Sequence, residues 1–514
     1  MRSISSITIK CLAFLLGLSL FFGITPVFAA DNELNLCMVS TQTKWLNPLQ
    51  AEEREFQSLT ALIYEGLYTL DDDYKPQKNL VERCDIDGNR WLITLRTDVY
   101  FHDGTPLTAY DVEATINEIL RLAAENQGQY AQLKYIIKSV SVNSSNSLLI
   151  TVNRPYYGTY YALTFPILPA SQIQVQNPMG TGPYKVDSFV AGNHLHLSAN
   201  PYWREKEPAI RYISVSFKEK NNQLLEEYEF NRVDAAITRS ASAGQYQTGV
   251  TNLNIPYRTN QLEVLLMNNR KGPTSDERVR TAIRYALDVD AIANHCYAGT
   301  AIRTDTPLPY GTWMYSMNDS YYEYNPDKAK ALLAEAGWED LDGDGFLDKY
   351  EDNEKVTLHL RLLVYEEQSN AVRIPAANMI KTMLERVGIK VTVSSISFGE
   401  AQEKLKVSNF SLCLAAYQMD VVPDPGFLLM SANTGNFGLY KSSNMDNLFK
   451  KLRTTMDPAE YQNLLWQIQD QFGQDCPFIC LYYRAGALLT RKVFTNARDI
   501  REPEILRGIE DIVN

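Results

Sequence analysis

The spacing of apolar side chains predicts a small α/β lobe in the first third of the chain. Two stretches alternate apolar and polar residues, which is typical of strands with one buried face. Their apolar positions are Trp91, Ile93 and Leu95, and then Leu148, Ile150 and Val152. Between them, Thr108 precedes apolar residues at helical spacing, which predicts a capped helix. These helical positions are Val112, Ile116, Ile119 and Leu120.

The pattern in the second half predicts a β–α–β unit and therefore a parallel sheet. Apolar residues alternate over 356–362 and again over 389–393, and residues 370–387 have helical spacing. The next predicted strand, 410–417, is apolar throughout, as expected for a strand buried on both faces. Before this unit, Asn325-Pro326 starts a helix whose apolar positions are Ala329, Leu332, Leu333 and Ala336.

A turn at Met179–Val186 starts another strand after the small lobe. Gly180 and Gly182 are expected to supply the φ angles of a tight turn, and Gly182 also avoids a clash with Pro183. An alternating pattern then continues to His196 and Leu197. An ordinary surface turn is the alternative, so this stretch gains weight only from its neighbours in the sequence.

The first 29 residues resemble a cleaved secretory signal. Arg2 and Lys10 precede an apolar run, and Val27-Phe28-Ala29 offers small residues before the cleavage point. A membrane anchor is the alternative. Cys11 begins the apolar run rather than ending it, which argues against a lipid anchor. We therefore expect a periplasmic or extracellular protein.

The overall charge narrows the range of partners. The chain of 514 residues carries a formal charge of −12, which becomes −14 when Arg2 and Lys10 are removed with the signal. Such acidity argues against nucleic acid or an anionic membrane as a partner. The length exceeds what one hydrophobic core usually serves, so two or three domains are expected. We also expect the protein to be a monomer.

The cysteines leave their pairing open. Six remain in the mature chain, at positions Cys37, Cys84, Cys296, Cys413, Cys476 and Cys480. An oxidising compartment permits disulfides, but sequence cannot choose among the pairings, and free buried thiols are an equal alternative. Their spacing does not match a zinc site.

Several ordered motifs together resemble one protein family. They are Trp45-Leu46-Asn47-Pro48, Tyr64-Glu65-Gly66-Leu67-Tyr68, Phe101–Val112, Met179–Val186, Asn200-Pro201-Tyr202-Trp203 and Asp276–Asp288. In this order the set is similar to the peptide/nickel-type family of extracellular solute-binding proteins, the ligand-capturing subunits of ATP-binding cassette (ABC) importers. The resemblance runs from about Asn32 to the C-terminus, and Tyr110 stands where the family usually has an acid.

The resemblance implies an α/β, periplasmic-binding-protein-like fold with two lobes, a Venus flytrap, and an additional small α/β lobe. Lobe I would comprise residues 30–72, 178–267 and 485–514, and lobe II residues 268–484. The small lobe would be an insertion at 73–177. The hinge is expected near Met267–Asn269 and Leu481–Ala485.

The implied function is capture of short peptides outside the cytoplasm and delivery to the membrane permease subunits. The alternatives are a nickel or other metal chelate, another small solute such as a sugar or opine, and a ligand-sensing receptor without transport. His194 and His196 share one strand face and could chelate a metal, although a simply polar face is more common.

The predicted ligand contact follows the strand 410–417. Ligands of open parallel sheets lie outside the carboxyl ends of strands. In peptide-binding relatives an aspartate here pairs with the α-ammonium of the peptide, and Asp420 matches best, with Asp424 second. One extra residue between the two leaves the register open, and a solvated turn aspartate is the alternative. Tyr417 and Trp45 are candidate wall residues, although either could be an ordinary core or surface residue.

An acidic loop matches the calcium-loop template D-x-D-x-D-G-x5-E. The predicted ligands are Asp340, Asp342, Asp344, the carbonyl of Phe346, Asp348 and Glu351. The exit from the loop leads to a strand, so the site would be half of an EF-hand and would hold a structural calcium ion. An acidic turn without metal is the alternative, and no cofactor is required for ligand binding.

Catalysis has little support in the sequence. The chain contains no Gly-x-Ser-x-Gly elbow, His-Glu-x-x-His helix or phosphate-binding loop, and only five histidines. We therefore expect a binding protein and not an enzyme.

Overall fold

A computed structural model describes most of the chain, namely residues 32–40, 44–50, 54–246, 248–249, 252–298, 300–316, 323–367, 372–492 and 500–509. The expected signal, residues 1–29, lies outside the described residues. Helices and sheets alternate, which confirms the α/β class. None of the helices described is both long and apolar enough to cross a membrane.

The first ten strands are β1 Glu33–Val39, β2 Tyr68–Leu70, β3 Pro76–Lys78, β4 Val81–Asp87, β5 Arg90–Leu95, β6 Ile137–Ser144, β7 Ser147–Val152, β8 Tyr184–Val190, β9 His194–Ala199 and β10 Tyr212–Lys218. The others are β11 Ala235–Thr238, β12 Leu253–Met267, β13 Ala301–Arg303, β14 Asp348–Glu351, β15 Glu354–Thr357, β16 His359–Tyr365, β17 Lys390–Ile396, β18 Leu412–Gln418 and β19 Phe478–Thr490. The first six helices are α1 Arg54–Ile63, α2 Ala109–Ala124, α3 Thr159–Ala162, α4 Asn221–Glu229, α5 Glu277–Ala286 and α6 Val289–Tyr297. They are followed by α7 Pro326–Glu335, α8 Arg373–Glu385, α9 Phe398–Lys406, α10 Gly426–Leu429, α11 Ser443–Leu452 and α12 Pro458–Asp475.

One large sheet runs through both lobes. Its order is β17-β16-β18-β12-β19-β11-β1-β10-β9-β8, with β13 attached to β19. In lobe II, β16 pairs in parallel with β17 and β18, so the predicted β–α–β unit around α8 is confirmed. In lobe I, β1 pairs in parallel with β10 and β11.

The small lobe has its own sheet, in the order β4-β5-β7-β6, with α2 packed against it. The alternating residues of β5 and β7 are buried as predicted. Thr108 is the N-cap of α2, and its backbone N–H donates to the Asp111 carboxylate at 2.8 Å. Local sequence patterns were sufficient here because each element buries one regular face.

The two long strands β12 and β19 connect the lobes. Their pairing shifts between Arg258↔Ala485 and Leu262↔Tyr483, so three residues of β12 lie opposite one residue of β19. Such a bulge bends the strand locally. The predicted hinge segment 481–485 coincides with this crossing, because Tyr483 and Ala485 bound it.

The other predicted hinge segment, Met267–Asn269, begins at the last residue of β12. Met267 pairs with Leu412 of β18, and the Asn268 side chain donates to the carbonyls of Ser408 and Phe410 at 2.9 and 3.3 Å. The strand irregularity at 258–262 is thus earlier in the chain than the expected hinge. The sequence of β12 has no glycine at 258–262 that would have indicated this irregularity.

The glycines of the 179–186 turn are required for a different reason than expected. Neither has a positive φ angle. A Cβ on Gly180 would lie 2.0 Å from the Ile63 carbonyl oxygen, and one on Gly182 would lie 2.6 Å from that of Leu62. The Gly182 N–H also donates to Ile63 O at 2.9 Å. The turn therefore packs its backbone directly on the end of α1, and this close approach excludes any side chain.

All six cysteines in the described residues are free thiols, and none forms a disulfide. Burial raises their pKa values, in the case of Cys413 to about 12. They behave as small apolar core residues rather than as reactive groups.

We predict that Gly180→Ala lowers the free energy of unfolding by about 1–3 kcal/mol, because the new methyl group overlaps the Ile63 carbonyl. Thermal unfolding of the purified protein would measure this loss. Gly399→Ala is the matched control, since its Cβ meets nothing within 4 Å, and within helix α9 it should keep or slightly raise stability. Equal melting temperatures for the two variants would contradict the close-approach argument.

Candidate ligand-binding cavity

A cavity of about 640 Å³ lies between the lobes. Its wall includes residues 60–70 around the end of α1, residues 418–425 that follow β18, residues 307–309 and residues 501–507. The volume falls in the range of about 300–1,000 Å³ that is typical of sites for one small ligand. The position beyond the carboxyl end of β18 is the one expected for an open α/β sheet.

A loop from lobe II closes one side of this cavity. Trp313 donates its indole N–H to Tyr74 O at 3.2 Å and to the Tyr161 hydroxyl at 3.0 Å. The same loop is held to α12, where Gln469 donates to Met314 O at 2.8 Å. The loop is therefore anchored on both sides of the cleft.

Asp420 lines the cavity as an ionisable group without a counter-charge. The Met419 N–H donates to Asn260 O at 2.8 Å and fixes the chain as it leaves β18. Asp420 is an exposed residue on the cavity wall, and its carboxylate accepts a weak hydrogen bond from the Val422 N–H at 3.3 Å. Burial raises the pKa of Asp420, and nearby Asp424 raises it further, while hydrogen bonds from the Val421 and Val422 backbones oppose the shift. In the described part of the chain, Asp420 has no ion-pair partner.

Asp424 lines the same cavity but is already neutralised. Arg453 binds it in a bidentate pair, with Nε 2.6 Å from Oδ2 and Nη2 3.0 Å from Oδ1. Oδ1 also accepts the Gly426 N–H at the start of α10. These contacts give Asp424 a structural role, so the geometry favours Asp420 as the ligand contact of the two.

The structure places neither of the two other candidates on the cavity wall. Tyr417 packs within lobe II, where its hydroxyl donates to Gly435 O at 3.0 Å and its ring contacts Phe427 and Phe437. Successive side chains of a strand point to opposite faces, so Tyr417 faces away when Gln418 faces the cavity. Trp45 is 41% exposed and is not part of the lining.

Other aromatic residues supply the wall and were missed as site residues. They are Tyr64, Tyr68, Tyr74, Tyr130, Tyr161, Phe165, Trp203 and Tyr483. Tyr64 donates to Pro178 O at 2.7 Å and Tyr483 to Pro307 O at 3.0 Å, so the buried hydroxyls are satisfied by protein. Tyr64, Tyr68 and Trp203 belong to motifs of the family resemblance, which was the only available sequence signal for them.

The acidic loop assembles only part of the predicted calcium ligand set. Asp340, Asp342 and Asp348 bring carboxylate oxygens within 4.8 Å of one another. Lys355 forms ion pairs with Asp342 and Asp348.

The remaining predicted ligands are not part of this cluster. Asp344 accepts the Phe346 N–H at 2.9 Å, and Glu351 pairs with Lys349 at 2.7 Å. The chain leaves the loop as the hairpin β14–β15, so position twelve points along a strand rather than back into the loop as in an EF-hand helix.

The two strand histidines also do not form a metal site with a third residue. His194 and His196 have ring centroids 4.9 Å apart, and His196 Nδ1 lies 2.9 Å from Ser214 Oγ. Within the described residues, the acidic loop is the one place where three or more side chains of metal-ligand type converge. The polar-face interpretation therefore fits better.

An enclosed interlobe cavity on a continuous sheet defines a ligand-binding protein of the two-lobed class. The chain belongs to the family of bacterial extracellular solute-binding proteins, family 5, whose model matches residues 75–438. Members are the solute-binding proteins of ABC importers and are not enzymes.

Curated relatives match most of the chain. The oligopeptide-binding protein AppA of Bacillus subtilis is 26% identical over 470 residues, which cover 85% of this chain and 83% of AppA. The nickel-binding protein NikA of Staphylococcus aureus is 24% identical over 428 residues, which cover 80% of this chain and 81% of NikA.

Solved structures of similar proteins share the fold. NikZ from Campylobacter jejuni, in complex with Ni(L-His), has a TM-score of 0.71 at 22% identity and covers 94% of this chain and 100% of its own. AppA from Bacillus subtilis, in complex with a nonapeptide, has a TM-score of 0.65 at 21% identity and covers 94% and 99%. The ligands in these two structures differ in chemistry, so the likeness supports the fold and not one particular solute.

We predict that Asp420→Asn raises the melting temperature of the ligand-free protein at pH 8. A raised carboxyl pKa means that the folded state favours the neutral acid, so this stability is present below the unfolded-state pKa and lost as pH rises through the folded-state pKa. The advantage of the variant should therefore shrink towards pH 4. Asp424→Asn, which leaves Arg453 unpaired, should instead lower the melting temperature. A pH-independent effect at Asp420 would contradict the burial argument.

The calcium loop stays a prediction with a direct test. If the loop takes calcium, the ion must displace the Lys355 ammonium, and added calcium should raise the melting temperature relative to a chelator. Asp340→Asn should abolish that rise, because it removes the first ligand position. A melting temperature unaffected by calcium in the unaltered protein would leave the loop as an acidic turn.

Proposed function

We propose that this protein captures short peptides outside the cytoplasm and delivers them to the membrane permease of an ABC importer. The observation that carries the proposal is the unpaired Asp420 carboxylate on the wall of the interlobe cavity. An α-ammonium group would supply the missing positive charge through a charge-assisted hydrogen bond. Asp420 is also the position that the family resemblance assigns to the peptide N-terminus.

The cavity wall suits a ligand whose side chains are not recognised closely. Aromatic rings provide apolar contact, while termini and backbone must be held by charge and hydrogen bonds. Peptide ligands of relatives such as AppA support this choice. Hinge closure at the β12–β19 crossing would bury the ligand and form the surface that a permease recognises.

A metal chelate is the second candidate, since NikA and NikZ are among the similar proteins. The cavity lining in the described residues contains no histidine or cysteine that could bind a bare nickel ion. A preformed chelate or another small solute would bind through its organic part. A ligand-sensing receptor without transport would use the same cavity.

Secretion and oligomeric state belong to the same proposal. The segment 1–29 would be removed as a signal, and the mature protein would act as a periplasmic or extracellular monomer. Its strongly acidic composition is compatible with a protein that does not bind nucleic acid.

Native mass spectrometry of the gently purified mature protein would identify the ligand class. A series of bound masses that matches short peptides is the expected result. One discrete mass that corresponds to a metal chelate or a single metabolite would overturn the peptide proposal.

We predict that Asp420→Asn weakens binding of a peptide with a free N-terminus by about 10- to 100-fold, because one hydrogen bond to a charged group is lost. Isothermal titration with the ligands recovered from the native protein would measure it. Their N-acetylated forms should bind the unaltered protein and the variant alike. Glu403→Gln, an exposed position on α9, is the charge-loss control and should bind as the unaltered protein does. Equal affinity for free and acetylated peptides would remove Asp420 from the site.

A further inference from the structure

Most charged side chains that line the cavity are neutralised by their neighbours. Arg204 lies 2.7 Å from Glu65 and 3.7 Å from Glu205. Asp424 is bound by Arg453 at 2.6 Å. Each of these charged groups therefore has an oppositely charged neighbour in the protein.

The charges of the C-terminal segment are paired in the same way. Glu502 is bound by Arg239, and Glu504 lies 3.9 Å from Arg501 and 3.6 Å from Arg507. Arg507 also pairs with Asp72 at 3.1 Å. In the described chain, two charged lining residues remain without an oppositely charged partner, and they are Asp420 and Arg258.

Arg258 is a buried cation whose hydrogen bonds are incomplete. Arg258 is 8% exposed. Nη1 donates to Tyr310 O at 3.1 Å, and the guanidinium lies 4.9 Å from the centre of the Tyr74 ring. Nη2 has no partner. A buried guanidinium without an acid is costly, so an anion that enters the cavity beside it would be strongly favoured.

The two unpaired charges lie on neighbouring segments, Arg258 within β12 and Asp420 just after the end of the adjacent strand β18. Arg258 lies on β12 two residues before Asn260, whose carbonyl accepts the N–H of Met419, the neighbour of Asp420. Their Cα atoms are therefore no more than about 16 Å apart by chain geometry. A peptide of two to four residues spans about 7–14 Å, and side chains extend the reach at both ends.

We propose that Arg258 binds the carboxylate of the ligand while Asp420 binds its ammonium group, so that the substrate class is a short zwitterion with both termini free. This inference rests on the proposed function and adds a preference for ligands with both a free ammonium and a free carboxylate group. Nη2 is covered by surrounding atoms in this structure, so the proposed contact requires the guanidinium to turn towards the cavity. The cavity then contributes one positive and one negative charge, which disfavours ligands that carry only one of the two groups.

A purely structural role for Arg258 makes a different prediction. Through Tyr310 it holds the loop that closes the cavity, and loss of that contact would weaken all ligands alike. A carboxylate contact weakens only those ligands that carry a free carboxylate. The ratio of affinities for matched free and amidated peptides therefore separates the two roles.

The test uses the full mature protein with trialanine, trialaninamide and N-acetyl-trialanine as probes in isothermal titration. The unaltered protein should bind trialanine about 10- to 100-fold more tightly than the amide, as expected for one charged hydrogen-bonded contact. Arg258→Gln should bring the two affinities within about threefold by weakening trialanine and leaving the amide as it was. Arg258→Lys, which keeps the charge but not the fork of donors, should retain part of the preference.

Arg303→Gln is the matched control. This variant also removes a partly buried positive charge, but Arg303 pairs with Asp290 and Asp305 and does not line the cavity. It should therefore keep the preference of the unaltered protein for trialanine over its amide. An unaltered protein that binds trialanine and its amide equally would overturn the role of Arg258 while leaving peptide binding intact. A preference that persists in Arg258→Gln would overturn it as well. Failure to bind any of the three probes would count against the proposed function itself.

Discussion

The pairing of β12 with β19 is the constraint on which the rest of the structure depends. Thirteen residues of β19 run beside fifteen of β12, and together they carry strands of lobe I on one side and of lobe II on the other. Backbone hydrogen bonds therefore continue from one lobe to the other, with register shifts at 258–262 and at 263–264. A β-bulge bends its strand locally, and the cavity wall includes Arg258 at this position.

A buried group of charges fixes this crossing on the lobe II side. Glu263 of β12 is fully buried and accepts from Arg373 at 2.6 Å and from Arg484 of β19 at 2.7 Å. Arg484 also binds Glu367 in a bidentate pair. Desolvation offsets much of the energy of such a cluster. Its directional contacts, however, hold β12, β19 and the start of α8 in fixed relative positions.

Ion pairs within the protein determine which charged side chains of the cavity wall can interact with a ligand. Acidic and basic residues are frequent along its wall, but most of them are committed to neighbours that hold loops and helix ends in place. Asp424 illustrates this, because Arg453 and the Gly426 N–H occupy its oxygens. The side chains without an oppositely charged partner are the ones that can form a new ion pair with a ligand.

The sequence by itself determined the elements with regular periodicity, the α/β class, the inserted lobe and the family, because local spacing and ordered motifs carry that information. It also located the strand end at which Asp420 lies. Only the tertiary structure decided which charges are paired, which strand face Tyr417 occupies and where β12 changes lobe, because these depend on partners far apart in the chain. Arg453 is 29 residues from Asp424, and Ile63 is more than a hundred from the glycines that pack on it. The roles of Gly180 and Arg258 follow from such contacts, which no local pattern of residues specifies.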